Sequence, residues 1–252
     1  MKECLEVMQF ELRYQLRSPF FLGALLIFAL IHFFTITGTG IHLDISALAA
    51  INSPHAILLT ELILAIFGML PVVAFVTTAV TRDFEHGTAA LVYVTPIRPQ
   101  SFLLGRFAGV LLLTWMIGLA GLLGTLIGTF MPWLDQERVA SFALAPYAYA
   151  FGVIILPNML IIAALFFAVA ALTRSVALTF ALAIVLFVAD VLLRLYARLD
   201  ADSWLLLADP FGGLAVAAET RYWSVVELNS KLPVGLLPAN VAGLTSVMVP
   251  VS

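Results

Sequence analysis

Five apolar runs, each about long enough to cross a hydrocarbon layer of roughly 30 Å, leave this chain few ways to fold. They cover residues 19–37, 56–80, 107–130, 148–172 and 176–193. None alternates polar and apolar residues with the period of two that a membrane barrel strand requires, so their backbone polar groups must be satisfied within helices. The 252 residues are 63% hydrophobic and 11% charged, with a mean hydropathy of +1.10, whereas soluble domains average roughly 45–50% and 25%. The fold class is therefore all-α, a polytopic helical membrane protein. A net charge of -3 with the basic residues scattered excludes a nucleic-acid surface. The single cysteine, Cys4, has no intrachain disulfide partner and lies in no metal or redox motif.

Residues 1–17 precede the first span. Leu5, Met8, Leu12 and Leu16 share one helical face, and Lys2, Glu6, Gln9, Arg13 and Arg17 another, which predicts an interfacial amphipathic helix. Acids at Glu3, Glu6 and Glu11, and the lack of a small-residue cleavage site, argue against a signal peptide, so the first span is retained. Ser18 and Pro19 suit the N-cap and first position of a new helix. The second span carries Glu61, and Pro71, whose ring removes a backbone hydrogen bond and predicts a kink. The third places Gly118, Gly121, Gly124 and Gly128 at small-residue spacing, a stripe that lets another helix approach closely. Trp133, Tyr147 and Tyr149 mark an aromatic belt at an interface. The fourth span contains Pro157 and Asn158, and a tight turn at Thr173, Arg174 and Ser175 folds it into a hairpin with the fifth. Asp190 stands one turn before Arg194, a pairing distance.

Residues 194–235 read as an outer interfacial or re-entrant segment, with a turn at Asp209–Gly213 and a short helix from Leu214 to Glu227. Residues 236–252 are apolar but short and interrupted by Pro238, Asn240 and Pro250. They predict part of a sixth span, as in a C-terminally truncated product. With the N-terminus inside, Lys2, Arg13, Arg17, Arg82, Arg98, Arg106 and Arg174 face the cytoplasm, against Arg138 alone in the first two outer loops. The outer segment after the fifth span opposes this count with Arg194, Arg198, Arg221 and Lys231, although acids accompany them.

Between the second and third spans lies the one well-charged internal segment, residues 81–106. Thr88 to Val94 contains no breaker and predicts a short helix across the cytoplasmic ends of both spans; Thr95 before Pro96 stops it, and Pro99 starts the next. Arg82, Asp83, Gly87, Thr88, the run Leu91–Val94, Pro96, Arg98, Leu104, Gly105 and Arg106 stand here in an order that resembles the permease subunits of ABC-2 type transporters. The stretch ADPFGGLAVAAETRYWSVVELN is also similar to the permease part of bacterial proteins fused to a zinc aminopeptidase, but the sequence has no HExxH. The resemblance implies half of a transmembrane dimer in the bacterial inner membrane, exporting a substrate. Its second permease subunit would be identical or related. A separate ATP-binding cassette subunit would dock on Arg82, Asp83, Glu85, Gly87, Thr88, Leu91, Pro96 and Arg98. The absence of GxxxxGK[ST] agrees with ATP hydrolysis on another chain, and the sequence presents no catalytic, cofactor or metal motif of its own.

Two other readings share the spans. An acid at membrane depth costs about 2.5–3.5 kcal/mol on insertion scales, so Glu61 and Asp190 mark a possible path, and Glu61 could serve an ion- or proton-coupled secondary transporter. Both stand within two turns of a span end, which places them in reach of interfacial water. A membrane anchor without transport would need neither the acids nor residues 81–106. An intramembrane hydrolase is disfavoured, because Ser175 and Ser203 have no evident His partner, and His32, His42, His55 and His86 are dispersed. Glu85 and His86 are adjacent and point apart on a helix, so they do not make a metal pair.

Overall fold

A computed structural model describes residues 2–38, 49–87, 97–197, 209 and 211–233, and every regular element among them is helical. Among the described residues, five helices are long and apolar enough to cross a membrane.

Helix α1, Lys2–Leu16, is amphipathic, with an unexpected buried side. Glu11 and Gln15 are its buried residues, while Leu5, Phe10, Tyr14 and Leu16 stay exposed for a lipid interface. Helix α2, Pro19–Thr37, starts where Ser18 and Pro19 predict: the Ser18 hydroxyl accepts from the Phe20 N–H at 3.2 Å, and Pro19 fills a position whose N–H would be unpaired anyway.

Helix α3, Pro54–Glu85, is the central element. Its 32 residues rise about 48 Å, so it extends beyond a hydrocarbon layer, and it runs five residues past the expected span end, through Arg82 and Asp83. The helix continues through Pro71, which is buried. Helix α4, Pro99–Gly128, begins at the proline singled out as a helix start, eight residues before the expected span. Half of the predicted 81–106 segment is thus the ends of two long helices, joined by residues 86–98. The predicted helix Thr88–Val94, and Pro96, lie outside the described residues.

Helix α5, Ala145–Thr173, contains a π-helical stretch at Ala150–Ile155 that ends at Leu156, the residue before Pro157. The Leu156 N–H donates to the Phe151 carbonyl five residues back, the spacing that defines such a stretch. Arg174, in the left-handed conformation at φ 50°, ends α5, and helix α6, Val176–Ala197, returns as the expected hairpin. The single helix predicted over 214–227 is two: α7, Gly213–Thr220, and α8, Val225–Ser230. Ser224 divides them by forming a capping box with Glu227.

The core runs along α3, with α2 and α4 on one side and α5 and α6 on the other; Phe21, Phe75, Leu113, Ile117 and Phe166 are fully buried in it. The glycine stripe explains the closest contacts. A Cβ on Gly124 would lie 2.1 Å from the Ala29 carbonyl oxygen of α2, and one on Gly121 would lie 2.7 Å from the His32 ring. The stripe continues where the sequence reading did not follow it, since Cβ atoms on Gly105 and Gly109 would strike α1 at the Cys4 oxygen (2.6 Å) and Glu11 (2.9 Å). Glycine here serves helix packing along the whole of α4. At the end away from α1, two connections and α8 are tied together: Asn52 and Ala140 exchange two hydrogen bonds of 2.8 and 2.7 Å, and the Ala50 N–H donates to Asn229 of α8 at 2.8 Å.

Candidate functional site

Two buried polar clusters stand out against this apolar background. The first lies where α1, the end of α3 and the start of α4 meet. Arg82 is 8% exposed and donates to both carboxylate oxygens of Glu11, at 3.0 and 3.5 Å. Gln15, one turn along α1, donates to the same carboxylate at 3.1 Å. The guanidinium also lies 4.2 Å from the Tyr14 ring centroid and 5.7 Å from that of Phe10, so it is stacked as well as paired. Asp83 pairs with Arg106 at 2.5 Å, and Arg106 donates its other terminal nitrogen to the Ala79 carbonyl. Two cations and two carboxylates therefore bind three helices, each charge facing its opposite, with Glu11, Arg82 and Arg106 buried and Asp83 half-buried.

Arg82 and Asp83 are thus engaged inside the protein. Glu85, which accepts from the Thr81 hydroxyl at 3.0 Å, His86, Gly87 at φ 67° and Arg98 are exposed around the connection between α3 and α4. The Arg98 backbone N–H donates to Glu3 of α1 at 3.4 Å. Thr88, Leu91 and Pro96 fall outside the described residues. Glu11, the member the sequence reading missed, has a signal in hindsight: it is an acid one helical turn from a glutamine on a helix that must bury one face.

The second cluster lies within the apolar bundle between α2, α3, α4 and α5. Glu61 is 3% exposed and His32 is 2% exposed, so the acid does not reach interfacial water as its position near the span end predicts. The Thr125 hydroxyl donates to one Glu61 oxygen at 3.1 Å, and His32 Nε2 lies 3.3 Å from the other. His32 Nδ1 is 2.8 Å from the Phe28 carbonyl. Beside the pair is a small cavity, about 20 Å³ for the centre of a water, which is room for one. Asn158 also lines it. Its amide nitrogen donates to the Phe211 carbonyl at 2.9 Å, and its Oδ1 is buried with no partner. His32 looks unremarkable in sequence, one of four dispersed histidines, yet it is the titratable residue within the apolar span 19–37, which alone marks it.

Asp190 is elsewhere. It pairs with Arg194 at 2.7 and 3.3 Å as the spacing predicts, but it too is buried, at 1% exposure. A Cβ on Gly213 would meet the Arg194 guanidinium at 2.7 Å, so the pair seats α7 against α6. Asp209 completes that junction by accepting from the Phe211 and Leu214 N–H groups at 2.9 and 2.6 Å. Gly121, Gly124 and Gly128 line the α2 contact, and among the described residues no three His, Cys, Asp or Glu side chains gather to hold a metal ion. No protein-family model matches the chain, and no curated protein matches it.

Proposed function

We propose that the chain is the permease subunit of an ATP-driven ABC-2 type exporter in the bacterial inner membrane, with its N-terminus in the cytoplasm. It would pair with a second permease subunit and dock a separate ATP-binding cassette subunit through the connection between α3 and α4. The observation that carries this reading is the ionic clamp. Four residues of the family-like pattern, Arg82, Asp83, Gly105 and Arg106, join both ends of that connection to each other and to α1: Gly105 admits the α1 backbone, and the three charges close on Glu11 and one another. A push on residues 86–98 would move α3 and α4 together, and the Arg82–Glu11 pair would carry α1 with them. Packed interfaces of this kind move as units between discrete arrangements, which suits a lever worked by a partner's ATP cycle.

Deleting 87–94 from the full chain and purifying it from its native membrane tests the docking. The deletion should abolish co-purifying ATPase activity while leaving insertion intact, and undiminished activity would remove the coupling role. The buried Glu61–His32 pair favours one second reading, an ion- or proton-coupled secondary transporter. Reconstituted vesicles separate the two, because transport driven by a pH gradient without ATP or a second chain would select the latter.

A further inference from the structure

Donor and acceptor accounting at the deeper cluster leads to a ligand. The Phe28 carbonyl can only accept, so His32 Nδ1, 2.8 Å away, must carry a hydrogen. A neutral imidazole with its hydrogen on Nδ1 presents a bare lone pair at Nε2. That lone pair lies 3.3 Å from Glu61 Oε2, within ion-pair distance, and a carboxylate oxygen is also an acceptor. Two acceptors do not face each other in a water-poor interior without a proton between them. Turning the ring over does not help, since it would set Cδ2 and Cε1 in place of the two nitrogens and leave the Phe28 carbonyl and Glu61 without a donor.

The charge balance gives the same result. With neutral His32 and ionised Glu61 the cluster would hold one uncompensated negative charge, and among the described residues no Lys or Arg lines its cavity. Among the described residues, the polar groups around the pair are His32 from α2, Glu61 from α3, the neutral Thr125 hydroxyl from α4, and from α5 the neutral Asn158 amide and the buried Tyr147 phenol. None supplies a cation.

We infer that His32 and Glu61 form a proton-binding site: one proton lies between Nε2 and Oε2, and the adjoining cavity holds a water that donates to Asn158 Oδ1. The proton comes from water and returns to it, and no other bond changes. Because α2 contributes His32 and α3 contributes Glu61, separating these helices breaks the site, and the proton is a ligand of the packed arrangement. Proton occupancy and the α2–α3 contact are then reciprocally linked, whichever energy source drives transport.

The test uses the full chain in phospholipid nanodiscs with 15N-labelled histidine, the His32 signals being those that move in Glu61→Gln. A protonated Nδ1 together with either a protonated Nε2, or an Nε2 accepting from a carboxylic acid seen in the infrared difference between wild type and Glu61→Gln, supports the site. A neutral ring beside a carboxylate, with its hydrogen on either nitrogen alone, overturns it. Glu61→Gln keeps the packing, because its amide donates to Nε2 and its carbonyl accepts from Thr125. Unfolded in unbuffered solution at mildly basic pH, wild type should release one more proton per chain than this variant. Equal release would also overturn the proposal, and if the variant does not fold, the wild-type ring signals, assigned by difference against His42, His55 and His86 substitutions, decide alone.

Discussion

The clamp at the end of α3 and the His32–Glu61 cluster are both buried, both join three or more helices, and both include an acid that neighbouring spans must neutralise, yet they are closed differently. In the clamp each carboxylate meets an arginine, and the guanidinium fork satisfies both oxygens of Glu11 while stacking on Tyr14. In the deeper cluster an acid meets a histidine whose facing nitrogen needs a proton, and a nearby amide oxygen has no partner. Arginine keeps its charge in any state of the protein, so the clamp is a permanent joint. Histidine does not, so the deeper cluster has a state to change.

Removing one partner from the clamp should have the largest effect. Arg82→Met leaves Glu11 buried beside an apolar chain and should cost ~3–5 kcal/mol in unfolding in detergent, and Arg82→Met with Glu11→Met should recover most of it. If the double variant is no more stable than the single, the cost comes from lost stacking rather than from the stranded acid.

Gly124→Ala comes next. Its methyl would drive into the Ala29 carbonyl, forcing α2 away from α4 and costing ~1–3 kcal/mol, whereas Gly152→Ala, with nothing within 4 Å, should leave the melting temperature unchanged or slightly raised. The same Gly124→Ala change should disturb the His32 ring signals and leave the clamp's double-variant cycle unaltered. Thr125→Val removes one neutral donor from Glu61 at nearly constant shape and should cost ~0.5–2 kcal/mol, less than any break in the clamp.

The smallest effect belongs to an exposed pair that serves as a control for both clusters. Lys231 and the Ser224 cap hold the Glu227 carboxyl down to about 2 from its ordinary 4.5. A depressed carboxyl contributes stability that is complete above its unfolded value and is lost as pH falls through the folded one. Unfolding curves should therefore respond to this residue only between about 4.5 and 2, and Glu227→Gln should flatten that window slightly. A large change there would mean that α8 matters more to the fold than its exposure implies.

Several local features were legible because their causes are local. The N-cap at Ser18, the helix start at Pro99, the turn through Arg174 and the Asp190–Arg194 pair each depend on residues at most one helical turn apart. The spans were legible too, although α3 and α4 run further than hydropathy shows, since helical hydrogen bonding continues into the polar residues Arg82, Asp83 and Gln100. Glu11 with Arg82, and His32 with Glu61 and Thr125, were not legible, because pairing across helices depends on how each one is rotated and how far it slides along its neighbour.

From its sequence alone this chain is a set of apolar helices that must bury backbone polar groups in a bilayer, with glycines where two of them can touch. Hydropathy, caps and small-residue spacing are short-range properties and suffice for that. Only the tertiary structure decided which polar side chains meet. In a water-poor interior each acid must find a donor, and the glycine-seated approach of α1 and α2 to α4 selects Arg82 for Glu11, and His32 with Thr125 for Glu61.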